Sequence, residues 1–152
     1  MKYLLLLSAM ALFACQHLRS GQQTGHIDST ATTSGSPTWV TYTGTLPCAD
    51  CSGILTSLSL EEHGPDGEQL FKLKETYLGV AGKDQIFNSE GNYTVLHGDA
   101  EDKDAEIIQL NPDKDRNLQR FYRKAGDILR QLDKDRQDVP TSLDYSLKRV
   151  AE

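Results

Sequence analysis

The sequence lacks methionine beyond its first ten residues and has no excess of positive charge. Its two methionines are Met1 and Met10, so a soft-metal site elsewhere in the chain would have no thioether ligand. Lysine and arginine number 16 against 22 acidic residues, which gives a formal net charge of −6 at pH 7. Because an acidic protein binds nucleic acid poorly, we expect no nucleic-acid partner.

Enzyme motifs and helical patterns are also absent. Serine, histidine and aspartate occur, but no nucleophile elbow surrounds a serine and no Gly-rich phosphate loop is found. No apolar pattern of helical period continues beyond a turn or two. We therefore expect a protein that is not an enzyme and a fold without βαβ units.

The N-terminus has the pattern of an export signal. The apolar run Tyr3 to Phe13 is too short to cross a hydrocarbon core of about 30 Å as a helix. It ends in Leu12-Phe13-Ala14-Cys15, which resembles the lipobox of bacterial lipoproteins except at one position that is usually small. By that resemblance residues 1–14 are a signal peptide and Cys15 becomes the lipidated N-terminus. The alternative is a plain secreted protein that is cut elsewhere.

The residues after Cys15 predict the location of the anchor. Enteric-type lipoproteins that stay in the inner membrane have aspartate at the next position, whereas this chain has Gln16. The resemblance therefore implies a lipid anchor in the outer membrane, on its periplasmic face. Residues 15–38 are rich in Gly, Ser, Thr and Gln without an apolar period, which predicts a flexible tether. A single domain, residues 39–152, follows it, and we expect a monomer.

The predicted domain alternates short β-like runs with turn residues. This arrangement is typical of an all-β fold, either an antiparallel barrel or a sandwich, of about eight to nine strands. An eight-strand barrel can hold one small ligand, unless side chains such as Phe71, Leu73, Tyr93 and Phe121 fill its interior. The strand candidates are Trp39–Leu46, Ile54–Leu60, Gln69–Tyr77, Ile86–Phe87, Asn92–Leu96, Glu106–Leu110, Leu118–Arg123, Ile128–Leu132 and Tyr145–Val150.

Cys48 and Cys51 form a Cys-x-x-Cys pair between the first two predicted strands. With Cys15 lipidated, they are an even pair in an oxidising compartment. Such a pair can form a local disulfide, bind a soft metal or exchange disulfides with a partner. Asp50 lies between the thiols and would raise their pKa by repulsion, which argues against exchange chemistry. A loop-shaping disulfide and a Cu(I) site of two thiolates both stay open.

The segment Tyr42 to Ile54, YTGTLPCADCSGI, resembles the signature of the NlpE family of copper-resistance and envelope-stress lipoproteins, in their N-terminal domain. In this motif Gly44, Pro47, Asp50 and Gly53 accompany the two cysteines. The likeness covers residues 39–150 and implies a lipocalin-like antiparallel β-barrel. Further matching segments are Thr56–Leu60, Thr76–Gly79, Glu90–Tyr93 and Leu143–Leu147.

The resemblance also implies a function. It predicts a sensing or binding module of the envelope, with copper as Cu(I) at Cys48 and Cys51 and an envelope-stress signalling protein as partner. Longer members add a C-terminal OB-like domain with a second cysteine pair, which we do not expect within these 152 residues. The alternative is a carrier of a small apolar ligand in the barrel, with a purely structural disulfide.

Overall fold

The computed structural model describes residues 38–62, 69–99, 101–140 and 142–151. The predicted signal peptide, Cys15 and the tether up to residue 37 lie outside these ranges. Within the ranges, no helix has the length and apolar character needed to cross a membrane. The described elements are a short 3-10 turn, Arg116–Leu118, and the strands β1 (Trp39–Leu46), β2 (Ile54–Glu61), β3 (Leu70–Val80), β4 (Lys83–His97), β5 (Glu106–Leu110), β6 (Arg120–Ala125), β7 (Ile128–Leu132) and β8 (Ser146–Arg149).

The eight strands form one closed antiparallel barrel. Each strand pairs with its neighbour in the sequence, and β8 pairs with β1 to complete the ring. Closure removes most exposed sheet edges, which is one physical reason for a barrel over a sandwich. The predicted all-β fold and antiparallel barrel are confirmed.

The strand prediction is wrong in one place, where Ile86–Phe87 and Asn92–Leu96 are not separate strands. They belong to the single strand β4, which is 15 residues long. Gly91 suggested a break, but it lies directly opposite Phe71 of β3, where an added Cβ would be 3.1 Å from a carbon of the Phe71 ring. The glycine therefore makes room for an aromatic ring inside a continuous ladder.

The contact between β1 and β8 depends on a second glycine. A Cβ on Gly44 would lie 2.5 Å from the carbonyl oxygen of Ser146 and 3.0 Å from Cδ2 of Leu147. Any larger residue would push β8 away from β1, because real Cβ atoms do not approach a backbone oxygen this closely. Gly44 is thus part of the contact between β1 and β8, which we call the barrel seam.

Apolar side chains fill much of the barrel interior. Tyr93 is among them, and its hydroxyl donates a hydrogen bond to the Glu61 carbonyl at 2.9 Å. Phe121, the fourth side chain considered as a possible filler of the interior, packs instead with Ala105, Ile107 and Leu132 in a separate cluster. The inward-facing residues of β6 are Tyr122 and its alternate neighbours, so Phe121 points outward. The buried interior residues are Val40, Tyr42, Leu46, Leu58, Leu60, Phe71, Leu73, Tyr93, Ile108, Leu110, Tyr122, Leu129 and Leu147.

The two ends of the barrel differ. Four connections meet at the end that we call the open end, namely residues 47–53, 81–82, 111–119 and 133–145. At the opposite end lie the connection 98–105 and the tight turn 126–127. We call the barrel interior between that end and the level of Leu58 and Leu73 the packed half. The predicted cysteine motif lies entirely at the open end.

Candidate functional site

The connection between β1 and β2, residues 47–53, contains a disulfide between Cys48 and Cys51. The two sulfur atoms are 2.04 Å apart and the two Cα atoms are 5.3 Å apart. Both cysteines are partly exposed, and Ala49 and Asp50 between them are exposed. The structure therefore presents the Cys-x-x-Cys motif as a disulfide loop, which solvent can reach.

Backbone hydrogen bonds hold the C-terminal end of the disulfide loop against β3. The Ser52 N–H donates to the Leu78 carbonyl at 3.0 Å, and the Leu78 N–H donates to the Gly53 carbonyl at 2.9 Å. Gly53 has a φ of 151°, and a Cβ there would lie 2.8 Å from Cγ2 of Thr45. Glycine is required at this position because an L side chain would be strained and would collide with β1.

The sulfur of Cys51 lies 3.3 Å from the Gly53 carbonyl oxygen. Since a disulfide sulfur carries no proton, this contact is not a hydrogen bond while the bond is intact. Reduction would give Cys51 a thiol that can donate to this oxygen.

The structure distributes the predicted motif residues over two places. Pro47 and Asp50 lie in the loop beside the cysteines, and Gly53 ends it. Gly44 instead belongs to the barrel seam. Histidine could add a ligand to the pair, but His97 is exposed at the opposite end of β4, and His63 lies outside the described residues. Cys15 also lies outside the described residues.

A metal at this loop would depend on the two cysteines. Within the described residues there is no group of three or more His, Cys, Asp and Glu side chains that could hold a metal ion. The disulfide form offers no thiolate. The reduced form would offer two soft ligands, which fits Cu(I) because that ion accepts thiolate sulfur.

A cavity of about 820 Å³ opens beside the disulfide loop at the open end. Phe71, Leu73 and Leu110 are barrel-interior residues that also line it. Near its entrance the rings of Tyr77 and Phe87 meet edge to face, with centroids 5.3 Å apart. Volumes of this size are typical of ligand sites.

Two charged residues in the cavity are not predicted from sequence. Glu75 and Arg120 both line it, and neither forms an ion pair with another described residue. Burial raises the pKa of the Tyr77 phenol, and Glu75 adds to this while Arg120 opposes it. The only sequence signal for Glu75 was an inward position on β3, in register with Leu73 and Tyr77.

Comparison with known proteins identifies the family. A sequence model of the NlpE N-terminal domain matches residues 42–142. The chain belongs to the NlpE family. Lipoprotein NlpE of Escherichia coli (strain K12) is 32% identical over 107 residues, which are 70% of this chain and 39% of that protein. The chain thus spans well under half the length of this NlpE relative, and no solved structure gives a significant match.

NlpE membership confirms the resemblance found in the sequence. The matched residues 42–142 include Gly44 of the seam, the whole disulfide loop and every strand from β2 to β7. The family assignment therefore rests on the barrel and on the Cys-x-x-Cys motif together.

Proposed function

We propose that this chain is a sensing or binding module of the cell envelope and not an enzyme. In this proposal it is a lipoprotein anchored through Cys15 to the periplasmic face of the outer membrane, and it is linked to copper resistance and the envelope stress response. The observation that carries the proposal is the solvent-accessible disulfide loop at the open end. The lipobox resemblance supports the anchor, as does a relative that is itself described as a lipoprotein.

The chemistry of the loop suits a switch between two forms. A thiol reductant that supplies two electrons and two protons would convert the Cys48–Cys51 disulfide into two thiols. Their thiolates are soft ligands that can hold Cu(I) in a two-coordinate way, with release of the thiol protons. Oxidation removes both ligands, so copper binding and redox state become alternatives at one loop.

The surroundings of the loop favour sensing over disulfide exchange. The loop joins two strands, and the elements that the structure describes place no helix N-terminus beside the cysteines to stabilise a thiolate. Asp50 stands at its exposed tip and disfavours a second negative charge nearby. The thiols would therefore ionise less readily than those of an exchange catalyst.

Copper binding is tested by competition against a chromophoric Cu(I) chelator, with the full chain in detergent after reduction. We expect one Cu(I) per chain, lost in the Cys48→Ser/Cys51→Ser variant and kept in Ser52→Ala, which changes the same loop without a sulfur. Indistinguishable, weak binding by all three proteins would contradict the copper proposal.

The anchor and its location are tested separately. We expect the protein to fractionate with outer membranes and to carry the mass of a lipidated Cys15, and a Cys15→Ser variant to be released into the soluble periplasmic fraction. Inner-membrane fractionation of the unaltered chain would contradict the proposed location.

The cavity supports a second candidate function, that of a carrier for a small apolar ligand. Its interior-facing lining includes Phe71, Leu73 and Leu110, and the disulfide would then be purely structural. Native mass spectrometry of protein purified from its own membrane should show a co-purifying ligand. A carrier is ruled out if the native mass equals that of the lipidated chain alone.

A further inference from the structure

The first two thirds of β4, from Lys83 to Asn92, pair with a strand on only one side. Pairing with β3 covers β4 from Lys83 to Asn92, but pairing with β5 covers only Tyr93 to His97. β5 ends at Leu110 because Asn111 takes a left-handed conformation, with a φ of 55°, and a proline follows. The position that a longer β5 would occupy beside β4 is therefore empty of any described strand.

The hydrogen-bond parity of β4 shows which groups face this empty position. The Tyr93 N–H donates toward the β3 side, to the Gln69 carbonyl at 2.7 Å, whereas the Asn92 carbonyl accepts from the Asn111 N–H at 2.9 Å. The backbone N–H and C=O groups of odd-numbered β4 residues thus point toward β3. Those of even-numbered residues point toward the position that a longer β5 would occupy. Ile86, Asn88 and Glu90 consequently present their N–H and C=O groups to an unpaired edge. No backbone partner reaches these groups from the described part of the chain.

The same stretch of β4 forms one side of the open-end cavity. Gln85, Phe87 and Ser89 line it, and Leu118 and Arg120 line it from the β5–β6 side. We call the unpaired β4 edge together with this cavity the β4 slot. A strand added to the edge would send every second side chain into the cavity, since side chains alternate between the faces of a sheet.

Exposed apolar side chains concentrate at the β4 slot. Ile86 is 57% exposed, Phe87 53% and Leu118 56%, and these three are among only seven large apolar residues exposed in the described chain. Ile86 lies on the outer face of the edge, while Phe87 and Leu118 line the cavity. An occupant with alternating side chains would cover apolar surface on both faces.

The cavity of the β4 slot has an excess of negative charge. Asp50 and Glu75 line the cavity opposite one cation, Arg120. On the β4 hairpin, Asp84 and Glu90 accompany Lys83. On the outer face Lys72 and Lys74 of β3 stand opposite Glu90 and Asn88, so the negative excess is confined to the cavity. Basic side chains of an occupant that enter the cavity would be favoured, and a second copy of the same acidic cavity would be disfavoured.

We propose that the β4 slot binds an extended segment of a partner protein by strand addition. The segment has alternating apolar residues and a net positive charge, and its backbone pairs with Ile86, Asn88 and Glu90 while alternate side chains enter the cavity. An extended polypeptide is the occupant because it supplies a row of backbone donors and acceptors that matches the edge. The proposal does not depend on copper or on the redox state of the disulfide loop.

The test uses the full chain in detergent and a display library of random peptides of about nine residues, long enough at about 3.4 Å per residue to cover the edge. The key variant is Asn88→Pro, which removes an edge-facing N–H without breaking a bond to β3 and is tolerated by edge strands. Asn88→Thr is the matched control, since it keeps the N–H. Urea unfolding confirms that both variants remain folded.

We expect selection to enrich peptides in which apolar residues alternate with others that include lysine or arginine. These should bind the wild type and Asn88→Thr alike, and bind Asn88→Pro at least about tenfold more weakly. N-methylation of alternate peptide nitrogens should weaken binding similarly, because it removes strand pairing but keeps the side chains. Equal binding to Asn88→Pro, no enrichment on the wild type, or a self-dimer abolished by Asn88→Pro would each overturn the proposal.

Discussion

The packed half and the open end are built from the same strands, yet they use them differently. In the packed half, β2 pairs with a strand on each side and apolar side chains such as Leu58 and Phe71 are almost completely buried. At the open end β4 continues without β5, and a disulfide loop and two unpaired charges border a cavity. Buried packing and the reactive disulfide thus lie at different levels of one barrel. Changes in the packed half should alter folding, and changes at the open end should alter binding.

The largest expected effect comes from the packed half. Leu58 of β2 is 0% exposed, whereas Leu55 on the same strand is 46% exposed. Leu58→Ala should lower the free energy of unfolding by about 2–5 kcal/mol, because it leaves a cavity in the core. Leu55→Ala should change it by less than about 0.5 kcal/mol. Urea denaturation measures both, and similar losses would show that the interior is not the source of stability.

The next effect concerns the seam between β1 and β8. Gly44→Ala places a Cβ against the Ser146 carbonyl oxygen, 2.5 Å away, so we expect a loss of about 1–3 kcal/mol in unfolding free energy. Thr43→Ala on the same strand is exposed and should cost less than about 1 kcal/mol. Hydrogen exchange should report faster opening of β8 in Gly44→Ala. Unchanged exchange would mean that the seam can widen freely.

A more modest effect is expected from the disulfide loop. Replacing both cysteines by serine should cost at most about 2 kcal/mol, because the closed loop is short and its removal adds little entropy to the unfolded chain. Far-UV circular dichroism should remain that of the barrel. A loss as large as that of Leu58→Ala would contradict the division between the two regions.

The smallest effect is pH-dependent and concerns the connection 133–145. Asp138 accepts hydrogen bonds from Arg123 at 2.7 Å and from Arg130 at 2.9 Å, and the Arg123 bond is the main cause of a lowered pKa for its carboxyl. A lowered folded-state pKa means that the stabilisation is complete above the unfolded value of about 3.9. It is lost as the pH falls through the lower folded value.

Asp138→Asn should therefore reduce the acid dependence of the unfolding free energy below about pH 4. The pKa of Asp99 is lowered chiefly by the backbone N–H groups of Asp102 and Glu101. Its contribution to the acid dependence of the unfolding free energy should therefore remain in this variant. Urea unfolding from neutral pH to pH 3 measures the difference, with Asp135→Asn at an exposed surface pair as control. Identical pH profiles for Asp138→Asn and wild type would show that this connection adds nothing to the barrel.

Most of the fold could be predicted from sequence because strand periodicity and turn residues are local signals. β1, β5 and β7 were predicted with the bounds that the structure has. The continuous β4 was missed because Gly91 signals a turn locally, and only the cross-strand position of Phe71 explains it. The position of Phe121 in a second cluster could not be predicted, because an apolar residue in a strand gives no sign of which face is covered by an outer connection.

Only part of the candidate site could be predicted, because only part of it is contiguous in the sequence. The Cys-x-x-Cys motif is contiguous, so its loop and family were readable from residues 42–54. Glu75 and Arg120 are 45 positions apart in the sequence, and nothing local connects them to one cavity. The unpaired edge of β4 likewise arises from the difference in length between two strands, which appears only when the register is known.

Two hydrogen bonds join Leu78 to Ser52 and Gly53 at the base of the disulfide loop. They limit the structural change that reduction of the disulfide can cause in the barrel. Because these bonds do not involve the cysteine side chains, we expect the C-terminal base of the loop to stay attached to β3 when the disulfide is reduced, and the barrel to keep its structure. A partner that responds to reduction of the disulfide would then have to contact the loop directly. The molecule would then signal by contact, at short range, and not by changing shape.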